Sequence, residues 1–510
     1  MAQVTVSSGG FVSIPAAAAG SDALALQTSI AAAINSSGTT AAANYLTSTL
    51  TGGGAAPAPP GTATFSDAYI NDAGGQSYTV SSSYEAVLYN PTAADTVYLN
   101  PNESVLGGTV GGTFIGIGGD TLALGGGNNL FVSSVSGSLL IPSESPDYVV
   151  GGAGNDTMFD GNGGTLDGGA GNNVLWAGSD TVGTTFISSG TDLILGGGGT
   201  DFATVSGANS TLLGGIGILN VSVSGSGDTI AGMGSTALNV TLTGSQDDAL
   251  GGTAGGAFAV VDNGTSDTVN AQSAATAVET MGGSNGYFYG GSGAATVSAA
   301  STSAVVVGGS GSLDFLGNGS RATVVGALGG NTSIVGSSGG LQVSARTGKT
   351  TISGGTGAVT LFGGSGGNVT FTDTAHQGLF YLAGAGNETL DASGSNGNDS
   401  LFGNTTPGAN LLMKAGSGND TIIGGPGNDT MVAGSGKDLF VFFNGSAGGQ
   451  DFINGLTAND TVALVGYNLN SLASSLQNAQ VTGQGVKITL SDNTSITFSG
   501  LSSLTGQNIT

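Results

Sequence analysis

Residues 415–441 read AGSGNDTII, GGPGNDTMV and AGSGKDLFV, three consecutive nonapeptides in one register. Each approaches the pattern G-G-x-G-x-D-x-U-x, where U is a large apolar residue. Asp420, Asp429 and Asp438 hold the sixth position, and Ile422, Met431 and Phe440 the eighth. Glycines at the first, second and fourth positions permit a tight turn with positive φ. Such a turn sets exposed main-chain carbonyls beside the acid. Carboxylate and carbonyl oxygens are hard ligands, which suit Ca²⁺ better than a transition metal. The apolar eighth residue falls in a short strand and is expected to point inward. The bland alternative is a metal-free Gly-Asn-Asp turn cluster; it leaves many stacked carboxylates without a neutralising cation.

The tandem resembles the RTX family, the hemolysin-type calcium-binding repeats of bacterial secreted proteins. The resemblance implies a parallel β-roll whose turns alternate between two edges, so that same-edge turns lie two repeats apart. It places one ion between the first and third repeats, held by Asp420 and Asp438 with the carbonyls of Gly416, Gly418, Ala433 and Ser435. Asp429, with the turn glycines Gly425 and Gly427 of the middle repeat, then pairs with less regular neighbours. Similar units occur elsewhere. GGAGNDTMF (residues 151–159) carries Asp156, and GGAGNNVLW puts Asn173 at the acidic position. These two form a candidate pair for one ion. GGGGTDFAT offers Asp201, with only Ala203 as its apolar anchor. Ahead of the tandem, AGAGNETLD offers Glu388 and GSNGNDSLF offers Asp399. Both depart from the pattern, in the longer acid or in Ala and Ser at glycine positions. Most of the intervening chain lacks the acid and is expected to form metal-free coils.

The chain has 510 residues, 99 of them glycine, and no cysteine. Six Lys and Arg face 32 Asp and Glu, for a formal net charge of −26, and no basic residue precedes Arg321. No nucleic-acid partner is expected, because phosphate binding needs clustered Lys and Arg. Anionic membrane surfaces are disfavoured for the same reason. No run of 18 apolar residues exists, so no membrane insertion is expected. The first residues lack the basic start and apolar core of a secretory leader. Only 7% of residues are charged while 38% are hydrophobic. Short Val, Leu, Ile and Thr runs between glycines argue for many short strands rather than disorder.

The expected fold is all-β: an irregular parallel β-solenoid followed by a calcium-binding β-roll, with a small N-terminal module that contains short helices. Residues 1–61 read as that module and a Pro/Gly linker, with helices expected over 22–34 and 40–50; it serves as a cap or as a docking module. Residues 62–382 read as the Gly-rich solenoid, coiling at irregular spacing. Residues 383–441 form the roll. Residues 442–510 read as an end cap with a helix near 469–476 and a hairpin turning at 491–493. The resemblance adds a type I secretion signal in this last part.

Catalytic residues are not evident. The metalloprotease H-E-x-x-H signature is absent, and His376 is the single histidine. G-x-S-x-G occurs three times, as chance allows in a chain so rich in Gly and Ser. Arg321, Arg346 and Lys349 are candidates to line one face with Asp314, Asp373 or His376. Glu144 with Asp147, and Asp247 with Asp248, are candidate acid pairs for glycoside hydrolysis. The leading expectation is a secreted Ca²⁺-binding structural protein of a Gram-negative bacterium. It would fold outside the cell and self-assemble into a surface layer, fibre or biofilm matrix. Its partners would be itself, the type I secretion machinery and cell-surface or matrix polysaccharide. An adhesin that binds carbohydrate and a polysaccharide-modifying β-helical enzyme are the alternatives.

Overall fold

The computed structural model of the chain describes residues 2–5, 11–14, 45–56, 65–84, 86–124, 126–134, 137–141, 146–160, 162–178, 181–252, 255–300, 303–319, 321–366, 368–372 and 378–510. The helix expected over 22–34, and Glu144, Asp373 and His376, lie outside them. The chain divides into two compact units, Met1–Val260 and Val261–Thr510. Among the described residues both are β throughout, apart from one helix, Leu469–Gln477.

In the first unit a short strand, a turn, a second short strand and a second turn make one coil. Each strand pairs in parallel with the strand one coil on. Thr157–Phe159 pairs with Val174–Trp176, which pairs with Leu193–Leu195. On the other sheet Thr165–Asp167 pairs with Thr185–Ser188. This is a parallel β-solenoid. Three-residue strands present only their middle side chain to the interior, and the register stacks Met158, Leu175, Ile194 and Leu212 in one row, each at most 1% exposed. That row is why the repeat asks for one large apolar residue.

Two expectations for the N-terminal part are corrected. Tyr45–Leu50, expected in a helix, is a strand paired in parallel with Phe65–Ile70. Its YLTSTL sequence is rich in aromatic and β-branched residues, which suit a pleated sheet. Gly54–Ala55, inside the expected linker, already pairs with Ser77–Thr79, so coiling begins before residue 61. Ala2–Thr5 and Phe11–Ile14 form an antiparallel pair.

The second unit repeats the same coil. One inner row runs Phe288, Val306, Val324, Val343, Leu361, Tyr381, Leu401, Ile422, Phe440 and Val462, none more than 1% exposed. Each such aliphatic or Phe side chain stabilises by roughly 1.5–3 kcal/mol on burial. The expected change of architecture at residue 383 is not visible: Leu379–Leu382 pairs directly with Ser400–Phe402. After Gln450–Asn454 the sheet receives Ser495–Ser499 in parallel, then Gly485–Thr489 and Gln480–Thr482 antiparallel. This reversal closes the stack that a bare last coil would leave open. The helix, capped by the Asn468 side chain on the Asn470 N–H, packs against that hairpin.

Candidate metal centre

Each acid of the tandem sits in the last turn residue before a strand. Strand pairing stacks these positions coil on coil. In one sheet Thr421–Ile423 lies beside Leu439–Phe443, which brings Asp420 and Asp438 into one column. In the other sheet Thr430–Val432 lies beside Gln450–Asn454, which puts Asp429 above Asp451. The repeats therefore alternate edges as the resemblance implies.

Within a column the carboxylate ties neighbouring coils together. Asp438 Oδ1 accepts the Asp420 N–H at 3.0 Å, and Asp420 Oδ1 accepts the Asp399 N–H at 2.7 Å. Asp460 Oδ1 accepts the Asp438 N–H at 3.0 Å. On the other edge Asp429 Oδ1 accepts the Leu411 N–H at 2.9 Å, and Asp451 Oδ1 accepts the Asp429 N–H at 3.0 Å. The Asn before Asp420 and Asp429 runs the opposite way: Asn419 Oδ1 accepts the Lys437 N–H, and Asn428 Oδ1 the Gln450 N–H. The Asn-Asp dipeptide thus satisfies one amide of the coil on either side.

The second carboxylate oxygen is left over. Oδ2 of Asp156, Asp429 and Asp451 is buried and receives no hydrogen bond. Burial pushes the Asp429 carboxyl up to about 6, against the pull of the Leu411 N–H. Burial and the neighbouring Asp429 charge push Asp451 up to about 8. The first glycine of the repeat faces this oxygen: a Cβ on Gly424 would lie 2.8 Å from Asp429 Oδ2, and one on Gly151 would lie 2.6 Å from Asp156 Oδ2. The later glycines face carbonyls of the preceding coil. A Cβ on Gly434 would lie 1.5 Å from the Gly416 oxygen, and one on Gly436 1.9 Å from the Gly418 oxygen. Gly425 and Gly427 approach the Asn404 and Ala409 oxygens in the same way. The Gly416 oxygen already accepts the Ser435 N–H, and the Ala433 N–H donates to Asn454.

Among the described residues no three acids or imidazoles converge. The donors on offer are instead the buried Oδ2 atoms of Asp156, Asp429 and Asp451, which no hydrogen bond satisfies, and many main-chain carbonyls. That set fits Ca²⁺, which takes six to eight hard oxygens in flexible geometry and accepts backbone carbonyls among them.

A family model of the RTX calcium-binding nonapeptide repeat matches the chain four times, over residues 143–164, 160–181, 345–373 and 412–440. The chain carries RTX calcium-binding nonapeptide repeats. The RTX repeat family binds Ca²⁺. No match was found among curated proteins.

The remaining expected ligands fall into different surroundings. Asp399 belongs to the column of Asp420 and Asp438, and its Oδ1 accepts the Leu379 N–H and the Ser395 hydroxyl. Glu388 lies in the column of Asp429, but its longer side chain turns to Tyr381 OH and the Gly364 and Gly384 N–H groups. Burial raises its carboxyl, and Tyr381 is its strongest counterweight. Asp201 has both oxygens engaged, by the Thr184 and Gly197 N–H groups at 2.9 and 2.7 Å. Asp156 and Asn173 stack in one column, where Asn173 Oδ1 accepts the Asp156 N–H at 2.8 Å.

The column of Asp156 extends through coils that sequence reading left without acids. Ser138, Asp156, Asn173, Asp192, Ser210, Asp228 and Asp247 follow one another, each donating its N–H to the next side chain. The signal was a polar residue before each short strand at separations of 17, 18 or 19 residues. The match over 345–373 shows the converse: Gly355 and Gly357 press on the Ser337 and Gly339 oxygens, but Val359 stands where the acid would be.

Among the described residues, Asp247 with Asp248 and Arg321 with Asp314 are not brought together. Asp247 is buried in its column while Asp248 is exposed on the strand beside it, so the two face opposite ways. Asp147 takes the Asn129 amide groups. Arg321 opens a strand of one sheet and Asp314 lies in the other, so they do not share a face.

Proposed function

We propose that this protein is exported by the type I route, folds on meeting extracellular Ca²⁺, and self-assembles into a surface layer, fibre or matrix at the cell surface. The observation that carries the reading is the stacking of buried aspartates in columns along the turns, where Oδ2 of Asp156, Asp429 and Asp451 has no hydrogen-bond partner. In calcium-poor cytosol those carboxylates repel, which favours a threadable chain. Outside, the ion supplies folding free energy, because it binds the folded turns and not the open chain. The charge of −26 suits a cation-rich exterior and keeps the unassembled chain soluble. Among the described residues no helix is long and apolar enough to cross a membrane.

Electron microscopy of the purified full chain tests the assembly. Ordered sheets or filaments in Ca²⁺, dispersed by chelator, are expected. Particles that stay monomeric in saturating Ca²⁺ would remove self-assembly from the reading. Circular dichroism on the same samples tests folding, and complete β signal in excess chelator would remove the calcium-driven step.

One feature favours glycan binding as a second role. A cleft of about 480 Å³ is floored by Asn368, Asn387, Asn410 and Asn428, with Thr389 and Thr430 beside them. Such a row offers amide and hydroxyl groups in register along the solenoid. Retention on a polysaccharide column that is lost in Asn387→Ala/Asn410→Ala supports this role; elution with the void volume opposes it.

A further inference from the structure

We infer that the outer face of one sheet in the second unit is a self-association surface, on which a second copy of this chain seats. The inference rests on the assembly reading and names the face that assembly uses. Ten strands, from Gly286–Tyr289 to Thr461–Val465, pair in parallel coil on coil in this sheet. Their inward side chains form the row through Phe288 and Leu361. Their outward side chains are largely apolar as well. The register stacks Tyr289, Val307 and Val325 and then, past Ser344, Phe362, Leu382 and Phe402 in one outward column. Phe380, one column over, is 40% exposed, and its ring centre lies 6.3 Å from that of Phe362 and 5.6 Å from that of Phe402. The three rings brace one another edge to face, so the surface they present is ordered.

The strand sequences carry the same signal. GYFY, SAVVV, LFYL and LFVFF lack the alternation of a strand with one wet face. Parallel strands that read as near-continuous apolar runs are those covered on both faces. The opposite sheet of the unit does alternate: TTIS, VTFT and ETLD turn Thr, Ser or Asp outward. Charge selects the occupant. The chain carries −26, yet none of the outward positions of the ten strands is Asp or Glu, and Arg321 is their one charged residue. Two copies therefore meet here without opposing carboxylates, whereas a basic partner finds no acid to pair with. The area suffices. At ordinary strand spacing and rise the face measures roughly 48 by 13 Å. A pair of copies then covers about 1,200 Å², above the roughly 1,000 Å² that a specific interface needs.

Analytical ultracentrifugation of the full chain in saturating Ca²⁺ tests the assignment. Wild type is expected to associate reversibly, and sulfate should strengthen an association driven by apolar burial. Phe380→Glu/Leu382→Glu, both outward, should weaken it by about tenfold or more. Leu316→Glu/Val335→Glu, equally exposed on the opposite sheet, should leave it unchanged. Phe380→Thr/Leu382→Thr is the milder pair, since Thr suits a strand, and circular dichroism checks the fold of each variant. A second measurement uses the absence of native cysteine. Thiol reactivity of Gln342→Cys, exposed within the face, should fall as protein concentration rises, and that of Ser333→Cys on the other sheet should not. Folded Phe380/Leu382 variants that associate as wild type does would overturn the assignment and leave assembly to another surface. Wild type that stays monomeric in saturating Ca²⁺ would overturn the assembly reading together with it. Monomeric wild type that instead binds phosphatidylcholine vesicles would give the face to lipid.

Discussion

Asp429 divides its work between two oxygens. Oδ1 holds the Leu411 N–H of the preceding coil, and Oδ2 is buried without a donor. Two substitutions separate these roles. Asp429→Ala strands a buried amide and is expected to destabilise by about 1–3 kcal/mol whether or not Ca²⁺ is present. Asp429→Asn keeps an acceptor and removes a buried charge. Its melting temperature in chelator should match or exceed wild type, and its gain on adding Ca²⁺ should shrink. Equal Ca²⁺-induced gains in wild type and Asp429→Asn would show that Oδ2 is no ligand. Another buried acid, Glu279, lies within the strand Thr276–Met281. Glu279 is 1% exposed, neither of its oxygens has a partner, and burial followed by the Asp262 charge raises its carboxyl well above the usual range. The sign follows from linkage. Between the unfolded and folded pKa values the open chain releases a proton that the folded chain keeps. Stability therefore falls as pH rises through that window, by at most about 1.4 kcal/mol per pH unit for one proton. Glu279→Gln should be more stable than wild type at pH 8 and similar near pH 4, as read by denaturant midpoints in constant Ca²⁺. A wild-type advantage at pH 8 would contradict this account.

At the scale of the turn and strand, glycines and acids have separable tasks. The 345–373 repeat keeps glycines against carbonyls but has Val359 in the acid's place. Close stacking of turns thus requires glycine even where the sixth position carries no acid. Gly436 combines both constraints of its type: φ is +146°, and a Cβ would meet the Gly418 oxygen at 1.9 Å. Gly436→Ala should lower the melting temperature in chelator as much as in Ca²⁺. Gly424 differs, since its nearest neighbour would be Asp429 Oδ2 at 2.8 Å and its φ lies in the ordinary range. Gly424→Ala should weaken Ca²⁺ binding while sparing the metal-free fold; a loss of fold without a change in affinity would reverse these assignments. The tandem was legible in sequence because glycine, acid and apolar anchor recur there without interruption. The column through Ser138, Asn173 and Ser210 was not, because neutral side chains replace the acid while making the same backbone bond. Tyr45–Leu50 was misjudged because its partner strand, Phe65–Ile70, lies beyond any local window.

Across the whole molecule the columns differ in charge density. In the first unit Ser138, Asn173 and Ser210 separate Asp156, Asp192 and Asp228. Asp156 and Asp192 each have a neutral neighbour on either side, and Asp228 has one in Ser210 before it meets Asp247. In the second unit Asp399, Asp420, Asp438 and Asp460 follow one another without a spacer, while Asp429 and Asp451 stack on the opposite edge. Like charges in adjacent coils sit one strand spacing apart, roughly 4.8 Å, and burial limits screening by salt. Repulsion without Ca²⁺ is therefore concentrated near the C-terminal end of the second unit. Within that unit the inner row through Phe288, Val306 and Val324 is not flanked by such a column, so its coils have apolar burial without the charge penalty. Hydrogen exchange of the full chain in chelator should accordingly show the amides of 399–460 opening first, with strands around Val306 and around Leu175 staying protected. Adding Ca²⁺ should restore protection over 399–460, and raising NaCl to the same ionic strength should not. Uniform exchange along both units, or earliest opening around Leu175, would mean that charge stacking does not set where this solenoid yields.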